Sequence, residues 1–275
     1  MKYKLICIDM DGTLLNDDKV ISEENKLVLK EAHDKGVHIS VCTGRLFTSA
    51  RNFSEMIGVK TPIIASNGAY IREKDEEKVI YKKILPKETC RKIYEIMRNF
   101  DVYKFFNTFD IVASEGDFPD WYTYTRFNEG LSEEQKVKLE VYSDFDDFIE
   151  SQDEMLKFVA VSKDIEELNK ARKALSVLDD IEIVSSAPLN FEINAKGVSK
   201  GDAAEQLAKI YGLDRNEVIC IGDSGNDLSM IKYAGLGIAM GNAEDGIKLN
   251  ADYITDTNNN DGVAKAIRKF VLLDE

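Results

Sequence analysis

Residues 5–15 read LICIDMDGTLL, an apolar run made for burial that ends in two carboxylates one residue apart, Asp9 and Asp11. Side chains alternate along an extended chain, so both carboxylates would face one way while Met10 faces the other. Like charges that close oppose each other's ionisation unless a cation or a proton lies between them. A second acidic group, GDSGND at 222–227, brings Asp223 and Asp227. Carboxylates gathered without cysteine or histidine make a hard oxygen site suited to Mg²⁺. Beside such an ion one carboxylate can attack while its neighbour handles protons, the division of labour of covalent phosphoryl transfer. Asp9 is then the nucleophile, and Asp11 protonates the leaving oxygen and afterwards activates water. A transferring phosphoryl group also needs fixed donors and cations. Thr43, Asn67, the backbone amides near Met10 and Gly44, and a lysine can supply them. In AKGVSKGDAAEQL, Lys200 lies at the mouth of a helix behind Ser199 as its cap. Lys196, four residues earlier, stays open on chemistry alone.

Rival chemistries fit less well. The EF-hand spacing fails at Asp9/Asp11, where the glycine comes too early. It fails again in DTNNNDG (256–262), where the glycine is late and Ile267 stands in place of the bidentate glutamate. No GxxxxGK[ST] string occurs, and GLGIAMG (235–241) lacks the dinucleotide spacing.

Strand-like and helical stretches alternate around these residues: KLICID, SEENKLVLKEAHDKG, VHISVCT, RLFTSARNFSEMIG, PIIASN, and again from SKGDAAEQLAKIYG to the last helix, DGVAKAIRKFVLL. Such alternation predicts parallel βαβ units, and near-continuous apolar strands predict a sheet covered on both faces. The expected fold is α/β, a doubly wound, mainly parallel sheet built from residues 1–83 and 187–275. Asp9, Thr43, Asn67 and Asp223 each close a strand at its C-terminal end, and topology gathers those ends in one crevice. Residues 84–186 have the texture of an inserted α+β domain, with VYKFFNTFDIVAS and WYTYTRF expected as antiparallel strands.

A chain of 275 residues with 44% hydrophobic residues can fill a real core. Its net charge of −14 opposes nucleic-acid binding. No apolar stretch reaches membrane-helix length, and MKYKLICIDMDG turns acidic too soon for a signal peptide, so a cytoplasmic location is expected. Cys7, Cys42, Cys90 and Cys220 are scattered and read as buried, reduced thiols, and His33 and His38 receive no catalytic role.

DMDGT, CTGR, SNGA, GVSKG, GDSGND and GIAMGNA, in this order and split by an insert after SNGA, resemble the Cof-type phosphatases of the haloacid dehalogenase superfamily, subfamily IIB. The resemblance implies a Mg²⁺-dependent phosphatase of a small phosphorylated metabolite, a sugar phosphate or cofactor phosphate, in a monomer or weak homodimer. It implies that Asp9 is nucleophile and metal ligand, that Asp11 is the acid/base and offers its backbone carbonyl to the metal, and that Asp223 completes the ligand set. Thr43 and Lys200 would bind the phosphoryl group, Lys200 being favoured over Lys196 by its place in GVSKG. Asn226 would contact the phosphate or order its surroundings, and Asp227 would hold the metal's water or Lys200. Met10, Gly44, Arg45, Asn67 and Gly68 would line the pocket, and the insert would be a cap that chooses the leaving group, with Arg126 as a substrate contact. A phosphomutase or phosphotransferase using the same intermediate, and a non-catalytic phosphometabolite sensor, are the alternative readings.

Overall fold

The computed structural model describes residues 2–272. Among the described residues fourteen strands run in chain order as β1 (Leu5–Ile8), β2 (His38–Cys42), β3 (Pro62–Ala65), β4 (Tyr70–Glu73), β5 (Val79–Lys82), β6 (Tyr103–Asn107), β7 (Ile111–Ser114), β8 (Lys138–Val141), β9 (Lys157–Val161), β10 (Ile181–Val184), β11 (Asn190–Ala195), β12 (Val218–Gly222), β13 (Leu236–Ala239) and β14 (Tyr253–Ile254). They form an eight-stranded sheet, β14-β13-β12-β1-β2-β3-β4-β5, and a six-stranded sheet, β10-β11-β9-β6-β7-β8. From β14 to β3 the first sheet is parallel, and β4 and β5 extend its edge antiparallel.

The first sheet is covered on both faces, as its unbroken apolar strands require. In β1, Leu5 and Cys7 pack with Ala203, Ala204 and Leu207 of the helix Lys200–Ile210, while Ile6 and Ile8 point to the other face, with Val28 and Leu29 of Glu23–Asp34. This is a doubly wound α/β architecture, as the alternation of strands and helices predicts. The helix Glu23–Asp34 starts at Ser22, whose hydroxyl accepts from the Asn25 amide, with Glu23 and Glu24 complementing the positive end of its dipole. All four cysteines are buried and unbridged, and His38 stacks on Tyr211 at 3.9 Å.

Two expectations need correction. WYTYTRF is not a strand: Thr123–Phe127 is a short helix. Its tyrosines alternate as in a strand, but Tyr124 and Phe127 stand three apart and meet in a helical turn, where Phe127 also packs on Phe53. The second difference is a boundary. β11 lies beyond 187 yet pairs with β9 and β10, so the second sheet extends to Ala195. In NFEINA the polar alternates Glu192 and Asn194 look like a solvated face but are buried against the first sheet's loops. Elsewhere in the second sheet β7 and β8 pair in parallel.

Candidate active site

The first βα loop brings Asp9 to the C-terminal edge of the parallel sheet, where its amide donates to the Ile221 carbonyl of neighbouring β12. Gly12, at φ +80°, lets the loop close on the next acidic segment: a Cβ there would lie 2.6 Å from Asp223 Oδ2. Thr13 Oγ1 then donates to Asp223 Oδ1 at 2.8 Å, joining the two motifs.

Lys200 lies at the centre of the cluster. Its fully buried ammonium donates to Asp9 Oδ1 at 2.6 Å and to Asp227 Oδ1 at 2.5 Å. It is the first residue of its helix, capped by Ser199, whose hydroxyl accepts from the Asp202 amide. Gly68, at φ +105°, allows that helix start to approach the turn after β3, since a Cβ would sit 2.3 Å from the Ser199 carbonyl. Lys196 is exposed and pairs with Glu182. Asp227 Oδ2 accepts from the amides of Asp223 and Ser224, so both of its oxygens are occupied by protein donors.

Asp9, Asp223 and Asp227 can each offer an oxygen within 4.8 Å of the others. At an effective dielectric near 20, two carboxylates at that separation repel by roughly 3 kcal/mol. Burial first, and then the charge of Asp227, push the Asp9 carboxyl well above the ordinary range despite Lys200. The same two causes raise Asp223. Burial works against the Lys200 ammonium, but Asp227 and Asp9 outweigh it and keep it charged. One lysine balances one of three carboxylates, and the all-oxygen donor set that remains suits a divalent cation such as Mg²⁺.

Asp11 has a different environment. Arg45 grips its carboxylate with both prongs, Nε to Oδ2 at 2.6 Å and an Nη to Oδ1 at 2.8 Å, and Lys19 adds a contact at 3.0 Å. Burial raises the carboxyl, but Arg45 and then Lys19 outweigh it and hold it well below the usual carboxylate range. Lys19 was not foreseen in the sequence, where it reads as one surface base in a polar loop.

Thr43, Gly44, Arg45 and Asn226 line a cavity of about 370 Å³ together with Asp9 and Asp11. Three expected lining residues lie elsewhere. Met10 turns its side chain into the core. Gly68 packs on the helix start, and Asn67 sits behind the cavity wall, donating to Glu192 and Asn194 and accepting from Asn226. Ser66 and Asn67 both hold positive φ, a strained turn fixed by hydrogen bonds from their amides to the Arg45 and Thr43 carbonyls. Arg126 is not among the cavity's residues.

The second sheet contributes Asn107, Lys157, Val159, Val161, Asn190 and Glu192 to the same cavity. Lys157 Nζ donates to the Gly44 carbonyl at 2.6 Å and to Glu192 Oε2 at 2.5 Å, tying the two sheets together. Burial raises the Glu192 carboxyl, but Lys157 outweighs it and the net shift is downward. Replacing Glu192 by Gln leaves the ammonium buried without its counterion and is expected to cost roughly 3–5 kcal/mol at neutral pH. Glu192 binds its proton more weakly folded than unfolded, so its contribution is complete above about pH 4.3 and fades as pH falls through the lower folded value. Urea melts of the wild type and Glu192→Gln should therefore converge below that pH; an undiminished gap would contradict the assignment.

The haloacid dehalogenase-like hydrolase family profile matches residues 6–267, and the chain belongs to that family. Over 269 residues it is 37% identical to the Bacillus subtilis 5-amino-6-(5-phospho-D-ribitylamino)uracil phosphatase YcsE, covering 98% of this chain and 96% of the relative. It is 33% identical to the B. subtilis phosphatase YwpJ, covering 98% and 100%. A solved haloacid dehalogenase-like hydrolase from B. subtilis superposes with a TM-score of 0.86 at 30% identity, covering 98% and 100% of the two chains. The protein is accordingly an enzyme of the phosphatase class. No helix among the described residues is long and apolar enough to cross a membrane.

Proposed function

We propose that the protein hydrolyses a small phosphorylated metabolite, a sugar phosphate or cofactor phosphate, through a phosphoryl group carried on Asp9. One observation carries this reading. Lys200 fixes Asp9 Oδ1, while Oδ2 has no protein partner among the described residues and Asp9 faces the cavity. A nucleophile with one oxygen held and the other free is oriented for in-line attack.

Asp9 Oδ2 forms a bond to phosphorus as the ester oxygen leaves, and Asp11 gives that oxygen a proton. Water then attacks phosphorus, Asp11 takes its proton, and Asp9 is released with inorganic phosphate. Mg²⁺ bound by Asp9, Asp223 and the Asp11 backbone carbonyl would supply charge neutralisation at the phosphoryl oxygens. Thr43, the Gly44 amide and Asn226 would hold those oxygens, while Lys200 and Asp227 keep Asp9 in position. The grip of Arg45 and Lys19 keeps Asp11 ionised, so its acid role needs that grip to loosen. Both bases line the cavity, where an arriving phosphate competes for them. The second sheet acts as the cap, closing the cavity and choosing the leaving group.

The test is phosphate release from a panel of sugar, nucleotide and cofactor phosphates, with Mg²⁺ and then with chelator, in the absence of any acceptor. The YcsE relative puts 5-amino-6-(5-phospho-D-ribitylamino)uracil first on the panel. Metal-dependent release without an acceptor is expected; substrate consumed only when a sugar acceptor is added, with the phosphoryl group recovered on that sugar and no free phosphate, would make the enzyme a phosphotransferase.

A further inference from the structure

Asn107 takes no part in the phosphoryl chemistry. Asn107 ends β6, is 1% exposed and lines the cavity. Its backbone is engaged, with the carbonyl accepting from the Leu156 amide at 2.9 Å and the residue paired between Val112 and Lys157. Its carboxamide is not. Oδ1 is buried and meets no donor, and no partner for the amide nitrogen occurs among the described residues.

The polar side chains nearby bond elsewhere: Lys157 to Gly44 and Glu192, and Glu192 to Ser186 and Asn67. Buried polar groups are nearly always hydrogen-bonded, and leaving one unmet is costly. An unmet amide facing a substrate cavity is a group whose partner arrives with the ligand. Lys157 and Glu192 neutralise one another, so the surroundings favour an uncharged polar group over a carboxylate or an amine.

We propose that Asn107 selects the leaving group by pairing with adjacent hydroxyls of a sugar or polyol that carries the phosphate. This assignment rests on the phosphatase reading above. A carboxamide offers an acceptor and donors in one plane, and a vicinal diol answers both: once a turn of the carboxamide about Cβ–Cγ brings the buried Oδ1 to the cavity, one hydroxyl donates to Oδ1 while its neighbour accepts from Nδ2. A site built to bond a hydroxyl discriminates strongly against the analogue that lacks it, because its own polar group is then left unpaired.

The experiment compares kcat/KM for ribitol 5-phosphate, n-pentyl phosphate and p-nitrophenyl phosphate, with Mg²⁺, in the wild type, Asn107→Leu and Asn107→Asp. Pentyl phosphate has the same carbon count as the ribitol ester and no hydroxyls on its chain. The wild type is expected to favour the ribitol ester by at least about tenfold. Asn107→Leu should abolish that preference, leaving pentyl phosphate within about twofold and the Tm undiminished, since it removes an unmet polar group. Asn107→Asp, which keeps the acceptor, should retain part of the preference and decides the matter if the leucine variant does not fold. Absence of a wild-type preference, its survival in Asn107→Leu, or an equal loss on both esters would overturn the proposal. Wild-type turnover of p-nitrophenyl phosphate alone would also overturn it while leaving the phosphatase reading intact; turnover of none of the three would count against both.

Discussion

Asp9→Asn is expected to abolish phosphate release, by at least about 10⁴-fold in kcat, while leaving the fold in place. The amide cannot form the acyl phosphate, so the loss is one of chemistry. The structural cost is small for a reason specific to this cluster. Asp9 is one of three carboxylates crowded within 4.8 Å, and burial and Asp227 already oppose its ionisation. Removing its charge relieves repulsion, and Lys200 retains Asp227 at 2.5 Å. Circular dichroism and thermal melts should match the wild type within a few degrees. Residual turnover near the wild-type rate would remove Asp9 from the nucleophile's role.

Lys200→Ala should damage stability and activity together. It strands two buried carboxylates at once, a loss of roughly 3–5 kcal/mol and, for a chain of this size, a fall in Tm of roughly 6 to 20 °C. Activity should fall with it, because Asp9 loses the contact that fixes Oδ1. Lys196→Ala is the control. Lys196 is exposed and its pair with Glu182 is a surface contact, so stability should move by less than about 0.5 kcal/mol and turnover by less than about twofold. The two lysines lie four residues apart in one motif, so the comparison isolates position from residue type. If Lys196→Ala were the more damaging, the assignment of the buried cation would be overturned.

The parallel core and its carboxylates are legible in the sequence because both follow from local pattern. LICI and VICIG are apolar throughout and HISVC nearly so beyond its exposed first residue, and the polar residue that follows each such run falls at a strand's C-terminal edge. The opposite wall is not legible in this way. Lys157 is the lone charge at the start of the otherwise apolar KFVAV, and Glu192 falls among the polar alternates of NFEINA, so neither is marked for burial until the second sheet closes over the Gly44 loop. Asn107 carries no local signal either, since its significance is the absence of a partner. Arg45 and Asp11 are both visible as motif residues, yet their mutual grip depends on loops from two strands and lies beyond any spacing argument. WYTYTRF shows the converse failure, a strand-like alternation that tertiary packing folds into a helical turn.

The most direct test of the account is to trap the phosphoryl-enzyme. Labelled substrate is mixed with enzyme and Mg²⁺ for less than one turnover and quenched in acid. The acyl phosphate is then reduced with tritiated borohydride, which expels phosphate and converts the phosphorylated aspartate to labelled homoserine, and the peptides are sequenced by mass spectrometry. A phosphoryl label that survives acid and is lost to borohydride, with the homoserine label at the position of Asp9, is the result predicted. Rapid turnover with no trapped label, or label on Asp11 or Asp223 instead, would contradict it.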